Sequence, residues 1–277
     1  NVEKGKIMNR SYFGKVIRIL VWPVLIGIGQ FLIVAILSFL FMQKQVNQMK
    51  LDYPNESETQ IIERVNQLDL SVPLNEYMES HMIYVVLINA LIFLPILVHQ
   101  YHKYKPKKKQ KITNPIVWVF SPIAFCLLFH IPLLAMGVHY EGIDRNYFWM
   151  LIISEGIIGP ILEEYLFRGV VYHKLKELYH TKNAMIFCTL IFALFHGSGL
   201  QIVFAALLGT ILILIYEKYQ DIKLSILFHS MVNLVSLLCI PYLQNIHFIF
   251  TIVLFIISGL CFYGFCHKEW LCKHNEI

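Results

Sequence analysis

The stretch GPILEEYLFRG, Gly159 to Gly169, sets two adjacent carboxylates, Glu163 and Glu164, and a guanidinium, Arg168, inside a long apolar run. Two further stretches share its character: FALFHG, with Phe192 and His196, and LFHSMVN, with His229 and Asn233. Carboxylates and imidazoles move protons and activate water, and amide and imidazole N–H groups stabilise developing negative charge. In hydrocarbon each central charge costs roughly 3 kcal/mol on insertion scales. Such a set therefore needs partners, a task, or both.

Spacing separates the two possibilities. Glu164 and Arg168 are four apart, share a helical face and can pair. Glu163 is turned about 100° from its neighbour and can face a different partner. His229 and Asn233, also four apart, can point into one cavity. Interhelical glue worth about 1 kcal/mol per hydrogen bond is the plain alternative, but glue needs no ionisable group beyond the Glu164–Arg168 pair. Other polar residues in apolar segments take that plainer reading: His130 and Glu155 stand alone in their helices, and Asn89 is expected to be hydrogen-bonded glue. Two histidines with one or two glutamates can also hold Zn²⁺ at an open site, although HExxH is absent and the ligands would come from three helices. Ser198 and Ser230 lie near these residues but lack the GxSxG turn of a serine nucleophile.

The elements that position these groups are membrane helices. The chain has 277 residues, of which 57% are hydrophobic and only 15% charged, and its mean hydropathy is +0.60. Soluble domains carry roughly 25% charged residues. The fold class expected is all-α, a polytopic transmembrane bundle of about eight helices forming one integral membrane domain over 1–277. Apolar runs place the helices near 16–42, 82–98, 116–136, 148–172, 184–196, 200–216, 223–239 and 247–266, and the polar residues define a catalytic core over 148–240. Val16–Met42 is too long for a signal-peptide core and is expected to remain as a helix.

Charge sets the orientation. Lys4, Lys6, Arg10, Lys15 and Arg18 precede the first helix, KYKPKKKQK (Lys103–Lys111) joins the second and third, and HKLKELYHTK joins the fourth and fifth. The alternate connections are acidic or neutral: 43–80, EGID within 137–147, and IPYLQNI at 240–246. The positive-inside rule puts the basic connections and both termini in the cytoplasm. The 43–80 insert is then extracytoplasmic. It reads as a solvated linker, with an amphipathic helix capped by Ser57 in SETQIIERVNQLDL as the alternative.

On this topology the polar groups share a depth. At 1.5 Å per residue, Glu163 lies roughly 15 Å from the cytoplasmic end of its helix, His196 about 18 Å from the start of its own, and His229 and Asn233 about 9 and 15 Å. One shared intramembrane site is the economical reading. The six cysteines show no CxxC pair and are expected to be buried small hydrophobes. The net charge of +5 reflects lysines beside membrane segments, without the aromatic-interleaved basic patch of a nucleic-acid binder. The expected partners are membrane lipids and a protein or peptide substrate. Nothing in the sequence sets an oligomeric state. The Ile-, Lys- and Asn-rich composition fits a bacterial cell membrane.

At these residues the sequence resembles the CPBP intramembrane proteases, also called the CAAX-protease or Abi family. EEYLFR matches the family's EExxxR motif, FALFH its FxxxH motif and HSMVN its HxxxN motif, in the family's order and on separate helices. The likeness covers about residues 148–240. It implies a peptidase of the glutamate type, in a family whose members remove the last three residues of prenylated CAAX proteins or are associated with bacteriocin immunity and peptide maturation. By motif, Glu163 would be the base that activates water and His196 would help orient that water. His229 and Asn233 would donate to the oxyanion, and Glu164 and Arg168 would support them. No cofactor is implied by this reading, with zinc as the alternative. A transporter or immunity protein without proteolysis is the competing class, but its paired broken helices in repeated halves are missing.

Overall fold

The computed structural model describes residues 2–104, 112, 115–138, 147–197, 199–243 and 248–267. Over these residues the chain is helical. The elements are α1 (Val2–Asp52), α2 (Glu58–Gln67), α3 (Ser71–Tyr104), α4 (Pro115–Ala135), α5 (Phe148–Ile153), α6 (Gly159–Leu166), α7 (Tyr172–Lys176), α8 (Thr181–Leu194), α9 (Gly199–Tyr219), α10 (Ile222–Leu238), α11 (Ile240–Leu243) and α12 (Phe248–Cys266). Two π-helical segments, Ser154–Ile158 and Phe167–Val171, splice α5, α6 and α7 into one rod. The all-α bundle expected from hydropathy is thus the fold. Lys105–Lys111, the EGID connection, Ser198 and Cys272 lie outside the described residues.

Five helical stretches are long and apolar enough to cross a membrane: Gly14–Asp52, Ser80–Tyr104, Trp118–Ala135, Gly199–Tyr219 and Ile249–Cys266. The protein is an integral membrane protein. The helices that carry the polar motifs are the exceptions. The α5–α7 rod is interrupted, while α8, with 14 residues, and α10, with 17, rise only about 21 and 25 Å, short of a roughly 30 Å hydrocarbon core. Their place in the bundle explains this. Most of the largest buried side chains, among them Phe167, Arg168, Tyr172, Phe192, Tyr216 and Phe228, come from these helices and α9. The outer helices α1, α3 and α12 instead expose Phe31, Leu91, Ile92 and Leu260, as lipid-facing helices do. Helix α12 packs on α4, α1 on α3, and α8 on α9. The motif helices thus have protein neighbours where the others have lipid.

The 43–80 segment departs from the linker reading. Helix α1 continues to Asp52 and α3 begins at Ser71, so both helices project past the hydrocarbon. Between them Ser57 and Gln60 form a reciprocal capping box that starts α2. Ile61 and Val65 bury one face of α2, and it packs back on α1. Arg64 Nε donates to Glu56 at 2.7 Å, and Lys50 Nζ to Glu58 at 2.7 Å. The alternation of apolar and charged residues in ETQIIERVNQ, not the polarity of the insert as a whole, decides its structure.

Two other expectations need correction. Cys126 and Cys188 are buried, but Cys239, at the end of α10, and Cys261, on α12, are exposed. Asn89 is fully buried, yet its amide donates to Val85 O of its own helix at 2.9 Å. Its side chain stands where α1 comes close: a Cβ on Gly29 would lie 3.0 Å from Asn89 Oδ1.

Candidate active site

The sequence dictates the shape of the α5–α7 rod around its carboxylates. Pro160 has no N–H, and a proline ring inside a helix clashes with the carbonyl four residues back. The helix answers with a π turn. Gly159 N–H donates to Ser154 O, five residues back, so neither Gly159 nor Pro160 serves the carbonyl of Glu155. That carbonyl accepts from Asn233 Nδ2 at 2.8 Å instead. The π turn also rotates the rod. In an unbroken α-helix Glu155 and Glu163 would stand about 80° apart, whereas one inserted residue brings them within about 20°. Both line the same cavity, and the helix carrying Glu155 can approach α10 closely because Gly156 has no Cβ to meet Leu234 at 2.6 Å.

Glu164 and Arg168 are fully buried and paired, Arg168 Nη1 donating to Glu164 Oε1 at 2.9 Å. Arg168 Nη2 donates to Gly209 O at 3.1 Å, and the guanidinium lies 4.4 Å from the centroid of the Phe192 ring. Glycine is needed at 209, since a Cβ there would sit 2.9 Å from Phe192 Cδ1. Glu164 Oε1 also receives His229 Nδ1 at 2.9 Å. A carboxylate held by arginine accepts, so Nδ1 of His229 carries a proton and Nε2 faces the cavity. Helix α10 starts at an Asp221 cap that accepts from Lys223 N, two turns before His229.

His196 is fixed by the same logic from α8. Its Nδ1 contacts Phe192 O at 2.7 Å, and a carbonyl oxygen only accepts, so Nδ1 carries the proton. His196 sits in the turn that follows α8, next to Gly197 at φ +92°, a conformation that suits glycine. Nε2 is thereby turned toward Glu163, 3.4 Å from Oε2, while His229 Nε2 is 3.8 Å from the same oxygen. Glu163 Oε2 is buried and has no hydrogen-bond partner in the protein. An acceptor oxygen is therefore flanked by two imidazole nitrogens whose opposite faces are committed as donors.

The cavity has a volume of about 420 Å³ and is lined by Glu155, Glu163, His196, His229 and Asn233, by His130, Gln201 and Ser236, and by apolar side chains from α4, α9 and α10. A second cavity of about 260 Å³ reaches Glu155 and Glu163 from between α1 and α3, past Gln30, Val34, Met82 and Phe195. Among the described residues, no three His, Cys, Asp or Glu side chains are grouped to hold a metal ion.

The model of one protein family matches this part of the chain: Rce1-like, described as type II CAAX prenyl endopeptidase Rce1-like, over residues 145–235. The match, confined to those residues of the 277, supports a CAAX-type membrane protease. The matched segment contains Glu155 and all six motif residues, Glu163, Glu164, Arg168, His196, His229 and Asn233. His130 and Ser236 lie outside it. None of the curated proteins and none of the solved structures compared with the chain matches it.

The structure brings the six motif residues to one place: Glu163, His196, His229 and Asn233 line the cavity, and Glu164 and Arg168 lie directly behind His229. Glu155 and His130, read from the sequence as isolated polar residues, line it too, as does Ser236. Glu155 is masked by the π turn, and only Gly159-Pro160 signals it. Ser236 was within reach, since it follows His229 by seven residues and Asn233 by three, on the same α-helical face. No sequence signal ties His130 on α4 to the site.

Proposed function

We propose that this membrane protease hydrolyses peptide bonds with a water molecule activated by Glu163, on peptide substrates of the CAAX or peptide-maturation kind. The observation that carries the reading is Glu163 Oε2: buried, without a protein hydrogen-bond partner, and facing His196 Nε2 and His229 Nε2. A buried acceptor of this kind is satisfied by a donor that enters the cavity, and water can donate to Glu163 and to His196 Nε2 together.

The steps follow from the side chains. Glu163 takes a proton from water as the water oxygen bonds to the scissile carbonyl carbon, and the carbonyl electron pair moves to its oxygen. Asn233 has two amide hydrogens; one is committed to Glu155 O, and the other is available to the oxyanion. His229 donates from Nε2 in its imidazolium form, with Glu164 accepting across Nδ1. One such donor contributes on the order of 3 kcal/mol to barrier lowering. As the tetrahedral intermediate collapses, the C–N bond breaks and the amine leaves with the proton that Glu163 held. Arg168 and Glu164 keep His229 oriented, and Phe192 O keeps His196 oriented.

The catalytic core is 148–240 within one membrane domain, with 43–80 outside and both termini in the cytoplasm, in a bacterial cell membrane. These assignments rest on charge bias and composition. A second reading has one observation in its favour: His196 and His229 both spend Nδ1 on an acceptor and turn Nε2 inward, as zinc-ligating histidines do. The experiment that separates the readings uses the purified full chain in liposomes with an S-farnesylated peptide ending in a CAAX sequence. Products are identified by mass spectrometry, before and after exhaustive chelation, beside elemental analysis. Glutamate-activated water predicts cleavage that survives chelation in protein lacking stoichiometric metal. One bound zinc per active chain, with activity restored only by metal, would replace it by the zinc reading.

A further inference from the structure

The cavity lining carries polar groups that the motifs do not include. Ser236 Oγ lies 3.4 Å from His130 Nε2 and 3.2 Å from Cys126 Sγ. His130 is buried on α4 and packed against the rings of Phe129 and Phe204, and His130 and Ser236 both line the cavity. Apart from these two and Gln201, the lining outside the motif residues and Glu155 is apolar, with Leu133, Val138, Phe204 and Leu237 among it. On α10, His229, Asn233 and Ser236 fall at i, i+4 and i+7, so they form one polar stripe along a single helical face.

A peptide entering this cavity brings main-chain N–H and C=O groups. In a lipid-embedded site bulk water cannot serve them, and each one left unpaired costs several kcal/mol. The polar stripe offers them partners. From midway between His229 and Asn233 to Ser236 it rises about 7.5 Å, which matches about two residues of extended chain. With the scissile carbonyl at His229 and Asn233, we propose that Ser236 and His130 form a subsite that hydrogen-bonds the substrate's main-chain oxygen about two residues from the scissile carbonyl. That oxygen belongs to an internal amide in a longer peptide, or to the terminal carboxylate where the chain ends there. The assignment rests on the peptidase reading and adds to it a measure of the substrate's reach. Ser236 donates its hydroxyl proton, and His130 and Cys126 hold the hydroxyl in place. Ser236 and His130 act by binding alone, so their contribution belongs in KM.

The test pairs protein variants with substrate length. The probes are S-farnesylated fluorogenic peptides carrying two residues or one on the carboxyl side of the cleaved bond, with a matching pair shortened on the amino side, and each length is made as free carboxylate and as amide. With the longer member of one pair, Ser236→Ala and His130→Phe are expected to raise KM about tenfold, the loss of one hydrogen bond, with the loss absent from kcat. With the shorter member of that pair the penalty disappears. Ser236→Thr, which keeps the hydroxyl, restores the wild-type KM, and a folding defect would not distinguish peptide lengths. The carboxylate and amide forms tell whether a chain end or an internal amide is held. The same length dependence is measured as binding, by anisotropy, in the Glu163→Gln background. If wild-type protein binds but never cleaves, the peptidase reading fails while the subsite stands on binding. If the penalty is equal for every length, or falls in kcat, the subsite is overturned.

Discussion

Breaking the Glu164–Arg168 pair and removing the charge of Glu163 are different perturbations, although the residues are neighbours. Glu164 and Arg168 are fully buried against each other, with Gly209 O and His229 Nδ1 as their other partners. Removing one member strands an uncompensated charge, which costs about 3–5 kcal/mol. Arg168→Ala and Glu164→Gln are therefore expected to lower thermal stability in detergent as well as activity, read by a thermal melt beside turnover. Glu163 bears no such structural pairing, and Glu163→Gln is expected to melt within a few degrees of wild type. Much of this was legible from four-residue spacing: the pairing of 164 with 168, the turning away of 163, and the shared face of 229 and 233. The attachments of Arg168 to Gly209 O and of His196 to Phe192 O were not, because backbone acceptors leave no mark in residue types.

Among the elements, the α5–α7 rod and α9 hold the site together at two glycines of unequal consequence. At Gly209 an added methyl would meet the ring of Phe192, whose face supports Arg168 and whose neighbours are His196 and His229. An aromatic ring locked among these groups cannot move aside, so Gly209→Ala is expected to cost about 1–3 kcal/mol and most of the activity. At Gly156 the obstacle is the end of Leu234, which can rotate away, and Gly156→Ala is expected to be milder in the same assays. The π turns themselves are invisible to a pattern based on 3.6 residues per turn, which is why Glu155 looked isolated in the sequence. The capping box of α2, by contrast, was written in SETQ.

Helix α2 also has a pH dependence outside the membrane. The hydrogen bond from Arg64 holds Glu56 below its ordinary range, and that from Lys50 does the same for Glu58. A lowered carboxylate contributes stability above its unfolded value and loses it as pH falls through the folded value. Hydrogen exchange over residues 57–68 is therefore expected to accelerate, after correction for the intrinsic rate, as pH drops below about 4. Ser57→Ala would raise exchange there at neutral pH as well.

For the whole molecule, the charge bias of the connections makes a testable prediction of orientation. Cysteines introduced singly into 43–80 are expected to react with an impermeant thiol reagent from outside intact cells, and those in 103–111 are not. The reverse pattern would invert the topology and the cytoplasmic placement of both termini. Hydropathy made the helical bundle legible, since lipid demands apolar spans of known length. It could not show that the three motif-bearing helices are the short or broken ones, because that depends on their having protein neighbours instead of lipid. Nor could it show that α4 lends His130 to the same cavity.

Glu163 as the base is the claim on which the chemistry depends, and single turnover measures it most directly. Enzyme in excess over a farnesylated CAAX peptide, in liposomes, reports the chemical step without product release. Glu163→Gln keeps the size and polarity of the side chain and removes its ability to take a proton. The glutamate mechanism predicts that this variant binds the peptide with wild-type affinity and melts like wild type, while its single-turnover rate falls by at least about 10²–10⁴, the contribution of a positioned general base. Cleavage by Glu163→Gln at the wild-type rate would contradict it.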